Sequence, residues 1–258
     1  MSCGRCLGST GGGWNLSRPA LFCQMAFGAA APATGESDMR NGYIGKETEQ
    51  ILRSLLDRYP ALEKCETQIK RAYEAMAVCL SSRGKLLIAG NGGSCSDAQH
   101  IVGELMKGLA RLRRLPREEQ EKLRQIGGTR GEILAQQLQQ ALPAMALDGQ
   151  TSLNTAFAND VNGTLAYAQQ VYGYGRAGDV FLAITTSGNS ENILCAAVAA
   201  KARGMQVIGL TGRDGGGLKE LADLMVMVPE KECMFAQELH LPIYHCWCMM
   251  LEDYFFGE

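Results

Sequence analysis

The sequence predicts an α/β fold built on a parallel sheet with both faces covered. Two observations carry that prediction. Short apolar runs alternate with helical stretches along the chain, and two of the runs end in small-residue or hydroxyl-rich loops that open a helix. At 258 residues, with 46% apolar and 20% charged residues, the chain can bury one substantial core, so one main domain is expected.

Residues 1–41 are rich in Gly, Ala, Ser and Pro without helical or strand period, and cannot bury enough surface to offset ordering entropy. They read as a disordered or non-native extension, with Met25 or Met39 as alternative natural starts. Within them, Ala20–Ala33 behind Arg18 faintly resembles a secretory signal, but Gln24 interrupts the run. Cys3 and Cys6 have CxxC spacing, yet no second pair or histidine follows at zinc-ribbon distance. Residues 42–258 are expected to form the single domain.

From Lys46 to about Leu80 the apolar positions Ile51, Leu55, Leu62, Ile69, Ala72, Met76 and Leu80 recur at helical spacing, with Tyr59-Pro60 interrupting, which gives two amphipathic helices. Lys85–Gly90 is a strand ending in a glycine turn, and Ser94 to about Lys107 is the helix behind it. Residues about 109–142 change composition, with Arg111, Arg113, Arg114, Arg117, Glu118, Glu119, Glu121, Lys122 and Arg124, then Gly127-Gly128, then a Gln-rich stretch. This reads as an insertion of two helices, either a solvated hairpin or a lid or docking surface. Ala144–Leu147, Asp179–Thr185, Gln206–Leu210 and Leu224–Val228 are further strands, with a helix from Ser190 to Arg203. Phe235 to Phe256 is apolar nearly all round and predicts a buried or interface helix.

A net charge of −2 gives no field that calls for nucleic acid or an anionic membrane surface, so recognition must come from a local site. No apolar run reaches the roughly 18 residues of a membrane span. Of the ten cysteines, Cys79, Cys195, Cys246 and Cys248 sit inside apolar stretches, and the set reads as reduced thiols of a cytoplasmic protein.

The loop Ala89-Gly-Asn-Gly-Gly-Ser94 offers backbone N–H groups and a helix start to an anion, although such a loop is equally a plain turn. Thr185-Thr-Ser-Gly-Asn-Ser190 has four hydroxyls in six residues after a strand, which suits a phosphate monoester. The alternative is N-capping by Ser190. The chain has three histidines, His100, His240 and His245, all in two of the predicted helices. His100 and Glu104 share a helical face and can offer nitrogen and oxygen to one ion, while Gln237, His240 and His245 supply further donors. Spacing alone leaves metal binding and buried core histidines both open.

Gly90-Asn-Gly-Gly-Ser94 with Asp97-Ala-Gln-His100 and Glu104, Ala158-Asn-Asp160, Thr186-Ser-Gly-Asn-Ser190, Leu210-Thr-Gly-Arg-Asp-Gly-Gly216 and Gln237-Glu-Leu-His240 with His245 together resemble the sugar isomerase (SIS) domain family. The resemblance spans about residues 45–108 and 143–256. It implies a three-layer, Rossmann-like and flavodoxin-type parallel-sheet sandwich with N-terminal helices and a long C-terminal helix. It further implies zinc held by His100, Glu104, Gln237 and His245. Substrate contacts would come from Asn91, Gly92, Gly93, Ser94, Glu104, Asn159, Asp160, Thr185, Thr186, Ser187, Ser190 and Gln237. The implied reaction is aldose–ketose isomerisation through an enediol, of sedoheptulose 7-phosphate to D-glycero-manno-heptose 7-phosphate, with Glu104 as base and His245 as acid. The implied assembly is a homotetramer with sites between subunits.

Gln237 and His245 are eight residues apart, about 12 Å along a straight helix, whereas ligands of one zinc lie within a few ångströms of each other. One ion is therefore expected to draw ligands from more than one chain. The sequence departs from the family in the 109–142 insertion and in Met234-Phe235 ahead of Gln237. Two rival functions share the motifs. One is a non-catalytic SIS protein that binds a replication initiator, against which the presence of both Glu104 and His245 argues. The other is an isomerase or sensor for a different phosphosugar.

Overall fold

A computed structural model describes residues 43–257; the expectations for residues 1–41 lie outside the described residues. Two N-terminal helices come first, α1 (Lys46–Arg58) and α2 (Glu66–Ser81), joined by a 3₁₀ segment Pro60–Cys65. Tyr59-Pro60 separates them because proline cannot donate the helical bond and pushes the preceding residue out of the α region.

The sheet is β1 (Leu86–Ala89), β2 (Ala144–Ala146), β3 (Val180–Ile184), β4 (Gln206–Thr211) and β5 (Leu224–Met227), all parallel in the order β2-β1-β3-β4-β5. Register between β1 and β3 pairs Leu86 with Val180 through Ala89 with Ala183. Asp179 reinforces it by accepting from the Lys85 backbone N–H at 3.0 Å and from its ammonium. Strands buried on both faces read as unbroken apolar runs, which is why Leu-Leu-Ile-Ala and Val-Phe-Leu-Ala-Ile show no polar alternation.

Alternate strand residues point into two separate cores. Leu86, Ile88, Val180, Leu182, Ile208 and Leu210 pack with α1, α2, α3 (Gly93–Met106) and the C-terminal helix, while Leu87, Ala89, Phe181, Ala183 and Val207 pack with helices on the other face. The result is a three-layer sandwich.

Between α3 and β2 lies α4 (Arg117–Gln137), which is broken at Gly128 (φ 51°). A straight helix of 21 residues would separate its ends by about 31 Å, yet Arg114 and Gln139 form an antiparallel bridge. The segment is thus two arms folded back on each other, held also by Arg124 Nε to Glu132 Oε2 at 2.7 Å. Its base is anchored in the core. The Arg113 guanidinium and Glu252 carboxylate, both almost fully buried, meet at 2.8 Å, and Glu252 also accepts from the backbone of Leu109, Ala110 and Arg111.

Sequence periodicity gives no helix between residues 148 and 178, but the structure has two, α5 (Thr151–Phe157) and α6 (Ala166–Tyr174). The chain then continues through α7 (Glu191–Ala202) and ends in α8 (Cys233–Phe256). Helix α8 is apolar nearly all round because most of it is buried; Met234, Phe235 and Leu241 are exposed. Among the described residues no helix is long and apolar enough to cross a membrane.

Candidate active site

The strand order reverses direction between β1 and β3, and in open α/β sheets ligands bind outside the carboxyl ends of the strands at that point. The loop after β1 and the loop after β3 meet there. Asn91 and Asn192, the second residue of α7, exchange amide hydrogen bonds of 2.8 Å in both directions, so the two loops are locked together. Sequence reasoning passed over Asn192, whose only signal was its place in the first turn of a helix behind a hydroxyl-rich loop.

In the first loop, Gly92 takes φ 55°, a turn that favours glycine, and leads into α3. At Gly93 a Cβ would lie 2.6 Å from Gln237 Nε2, so only glycine lets the α8 glutamine lie against the start of α3. Ser94 is buried and its N–H donates to Asn91 O at 3.1 Å. The Tyr167 hydroxyl holds Gly90 O at 3.0 Å.

In the second loop, Thr185 Oγ1 and Ser190 Oγ lie 3.1 Å apart, Ser187 Oγ accepts from Asn189 N at 3.1 Å, and Thr186 Oγ1 donates to Cys233 Sγ at 3.2 Å. Ser190 precedes α7 but among the described residues its side chain makes no capping bond; the Ile193 N–H is taken by Asn192 Oδ1 and Ser190 O, which leaves the Glu191 and Asn192 N–H groups to face an anion. Asn159 and Asp160 are exposed and bonded to each other at 2.7 Å, in an irregular helical segment between α5 and α6. No hydrogen bond among the described residues joins them to either loop.

A second centre forms where α3 and α8 run side by side. His100 Nε2 lies 3.4 Å from Glu104 Oε1 on its own helix and 3.4 Å from His245 Nε2 on α8. Two donors of a tetrahedral zinc, each bonded at about 2.0–2.1 Å, are separated by about 3.3 Å, so both spacings suit two edges of such a site. Glu104 is 15% exposed and His100 42%, so the carboxylate sits at the floor and the imidazole at the rim. Lys107 Nζ takes the other carboxylate oxygen of Glu104 at 3.4 Å. Burial, with help from His100 and Arg58 and against Glu104, holds the His245 imidazole below its ordinary pKa, so it gives up a proton more readily than a free imidazole.

The predicted four-donor set is divided. Gln237 sits with Gly93, at the loop end of α8, about 12 Å along the helix from His245. Among the described residues no three His, Cys, Asp or Glu side chains close a metal-holding group as they stand. The donor chemistry and the two spacings fit zinc, with a further ligand still required. His240 is no part of it: the ring is fully buried against the core with both nitrogens unpaired among the described residues, because its position on α8 faces the sheet. Sequence reasoning did not place Tyr244 and Asp97 in the site: the Tyr244 hydroxyl lies 3.1 Å from His100 Nδ1 and donates to Asp97 Oδ1 at 3.2 Å, so Asp97 reaches His100 through Tyr244.

The family model described as SIS domain matches residues 50–125 and 128–212. Among curated relatives, a phosphoheptose isomerase of a Nitratiruptor species is 36% identical over 211 residues, covering 80% of this chain and 99% of the relative. A phosphoheptose isomerase of Burkholderia pseudomallei is 34% identical over 212 residues, covering 82% of this chain and 92% of its own. Solved structures of phosphoheptose isomerases from Neisseria gonorrhoeae (32% identity, TM-score 0.60, covering 80% of this chain and 99% of that chain) and Francisella tularensis (31%, TM-score 0.62, 80% and 97%) are similar in fold.

Proposed function

This chain belongs to the SIS domain family, and from that premise we propose that it is an aldose–ketose isomerase that converts sedoheptulose 7-phosphate to D-glycero-manno-heptose 7-phosphate. The observation that carries the reading is the meeting of His100, Glu104 and His245 at 3.4 Å spacings, in a chain whose relatives carry the name phosphoheptose isomerase.

The phosphate is taken by the hydroxyls of Thr185, Thr186, Ser187 and Ser190 with the free N–H groups of α7, and Asn91, Gly92, Gly93 and Ser94 line the adjoining sugar site. Asn159 and Asp160 contact the sugar hydroxyls. Glu104 removes a proton from C1 of the ketose while His245 protonates the C2 oxygen, giving the enediol. Return of the carbon-bound proton to C2 by Glu104, with loss of the C1 hydroxyl proton to His245, yields the aldose. His100, Glu104 and His245 of one copy, with Gln237 of another, would hold zinc. When bound, zinc polarises the substrate oxygens as a Lewis acid. The division of donors supports a site shared between copies, as do the exposed apolar residues Met106, Met234, Phe235 and Leu241 on the two helices that carry it.

The test is a coupled assay of aldose phosphate formed from sedoheptulose 7-phosphate by the wild type and by Glu104→Gln. We expect turnover in the wild type and at least a ~10²-fold loss in the variant at unchanged circular dichroism. Undiminished turnover by Glu104→Gln, or turnover of another ketose phosphate in preference, would overturn the reading. A crystal structure with all four zinc ligands from one chain would overturn the shared site.

A further inference from the structure

Tyr244 is 1% exposed, yet its hydroxyl faces two polar partners, Asp97 Oδ1 at 3.2 Å and His100 Nδ1 at 3.1 Å. A phenol has one proton to give. An ionised carboxylate only accepts, so that proton goes to Asp97 and the phenol oxygen is left to accept from His100. A neutral imidazole carries one N–H, which then sits on Nδ1, and Nε2 keeps its lone pair. That nitrogen is the one that lies 3.4 Å from both Glu104 Oε1 and His245 Nε2.

We propose that Asp97 and Tyr244 are positioning residues that hold His100 in its Nδ1–H tautomer, so that the Nε2 lone pair points to where Glu104 and His245 meet. Among the described residues the second oxygen of Asp97 is buried with no partner, a cost that packing or helix capping alone would not require. The Tyr244 and His100 rings are set edge-on at 71° with centroids 5.5 Å apart, which limits rotation of the imidazole away from the hydroxyl. The arrangement resembles a carboxylate–histidine pair of a metal site with a tyrosine inserted between the two groups.

The tautomer rests on these contacts alone; its use in holding a cation rests on the proposed function. The experiment uses the full chain, stripped of metal and labelled with ¹⁵N-histidine, at about pH 8, where an ordinary imidazole is neutral. With only three histidines, loss of signals in His100→Gln identifies those of His100. Long-range ¹H–¹⁵N correlations should show the Nδ1–H form in the wild type and a shift towards Nε2–H in Tyr244→Phe and Asp97→Asn. Zn²⁺ titrated against a chromophoric chelator should bind about 10- to 100-fold more weakly to Tyr244→Phe. An Nε2–H tautomer in the wild type, which needs no variant to fold, would overturn the proposal. So would an unchanged tautomer in both folded variants. If the tautomer shifts in the variants while Zn²⁺ affinity does not, the positioning role stands and the cation role of His100 falls.

Discussion

Replacing His240 by leucine should make the protein less sensitive to acid, by an amount the structure allows to be worked out. The ring is fully buried, neither nitrogen has a hydrogen-bond partner among the described residues, and burial lowers its pKa from 6.5 to about 4. The Thr211 backbone opposes the shift but does not reach hydrogen-bond geometry, so desolvation dominates. As the folded-state pKa is depressed, the unfolded chain takes up a proton once pH falls below 6.5, while the folded chain resists until pH is near 4. Stability is therefore full above pH 6.5 and is lost as pH falls through this window. At about 1.36 kcal/mol per pH unit the loss reaches about 3 kcal/mol. Urea unfolding of wild type and His240→Leu, at matched protein concentration between about pH 7.5 and 4.5, measures it. Carboxylates with lowered pKa such as Glu252 lose stability in acid in both proteins and cancel in the difference. The gap between the two proteins should move by about 2–3 kcal/mol in favour of the variant as pH falls. Parallel curves would refute the reasoning and mean that the imidazole finds a partner for its charge inside the fold.

Two further outcomes follow from side-chain geometry. Arg113→Met strands the buried Glu252 carboxylate and should cost about 3–5 kcal/mol in urea unfolding; a cost below about 1 kcal/mol would show that Glu252 is neutralised or solvated. Gly93→Ala places a methyl where the Gln237 amide lies, and a glutamine can swing aside, so isomerase turnover should fall by about 10²-fold while the thermal midpoint stays within a few degrees.

Much of the fold was legible because parallel strands must be apolar on both faces, and runs such as Leu86–Ala89 and Val180–Ile184 have no other use in a chain of this kind. Helices α5 and α6 were not legible. Short helices draw their stability from contacts with the rest of the fold, and Thr-Ser-Leu-Asn-Thr-Ala-Phe has no apolar stripe to announce it. In the site, the pairing of His100 with Glu104 could be read from their i, i+4 spacing, because one helix settles it. The approach of His245 could not, since it depends on α3 and α8 packing side by side. His240 shows the limit of composition: the same residue type on the same helix, five positions before His245, faces the core instead.

The parallel packing of α3 and α8 also bears on how the site is assembled. Gly93 lies against Gln237, and seven or eight residues further along both helices His100 meets His245. The hydroxyl-rich loop touches Cys233, at the start of α8, through Thr186. From Cys233 to His245 is twelve residues, about 18 Å of helix. The six carbon–carbon bonds of a seven-carbon sugar, at roughly 1.5 Å each, reach at most roughly 9 Å before the phosphate ester. The carbon chain of a substrate with its phosphate in that loop is therefore shorter than the axial distance to His245 of the same chain. The proposed chemistry would then draw Glu104 and His245 from a neighbouring copy, as the proposed zinc would draw Gln237 from one copy and His245 from another. One helix thus supports the proposed shared site twice, once through the ligands of the ion and once through the length of the sugar.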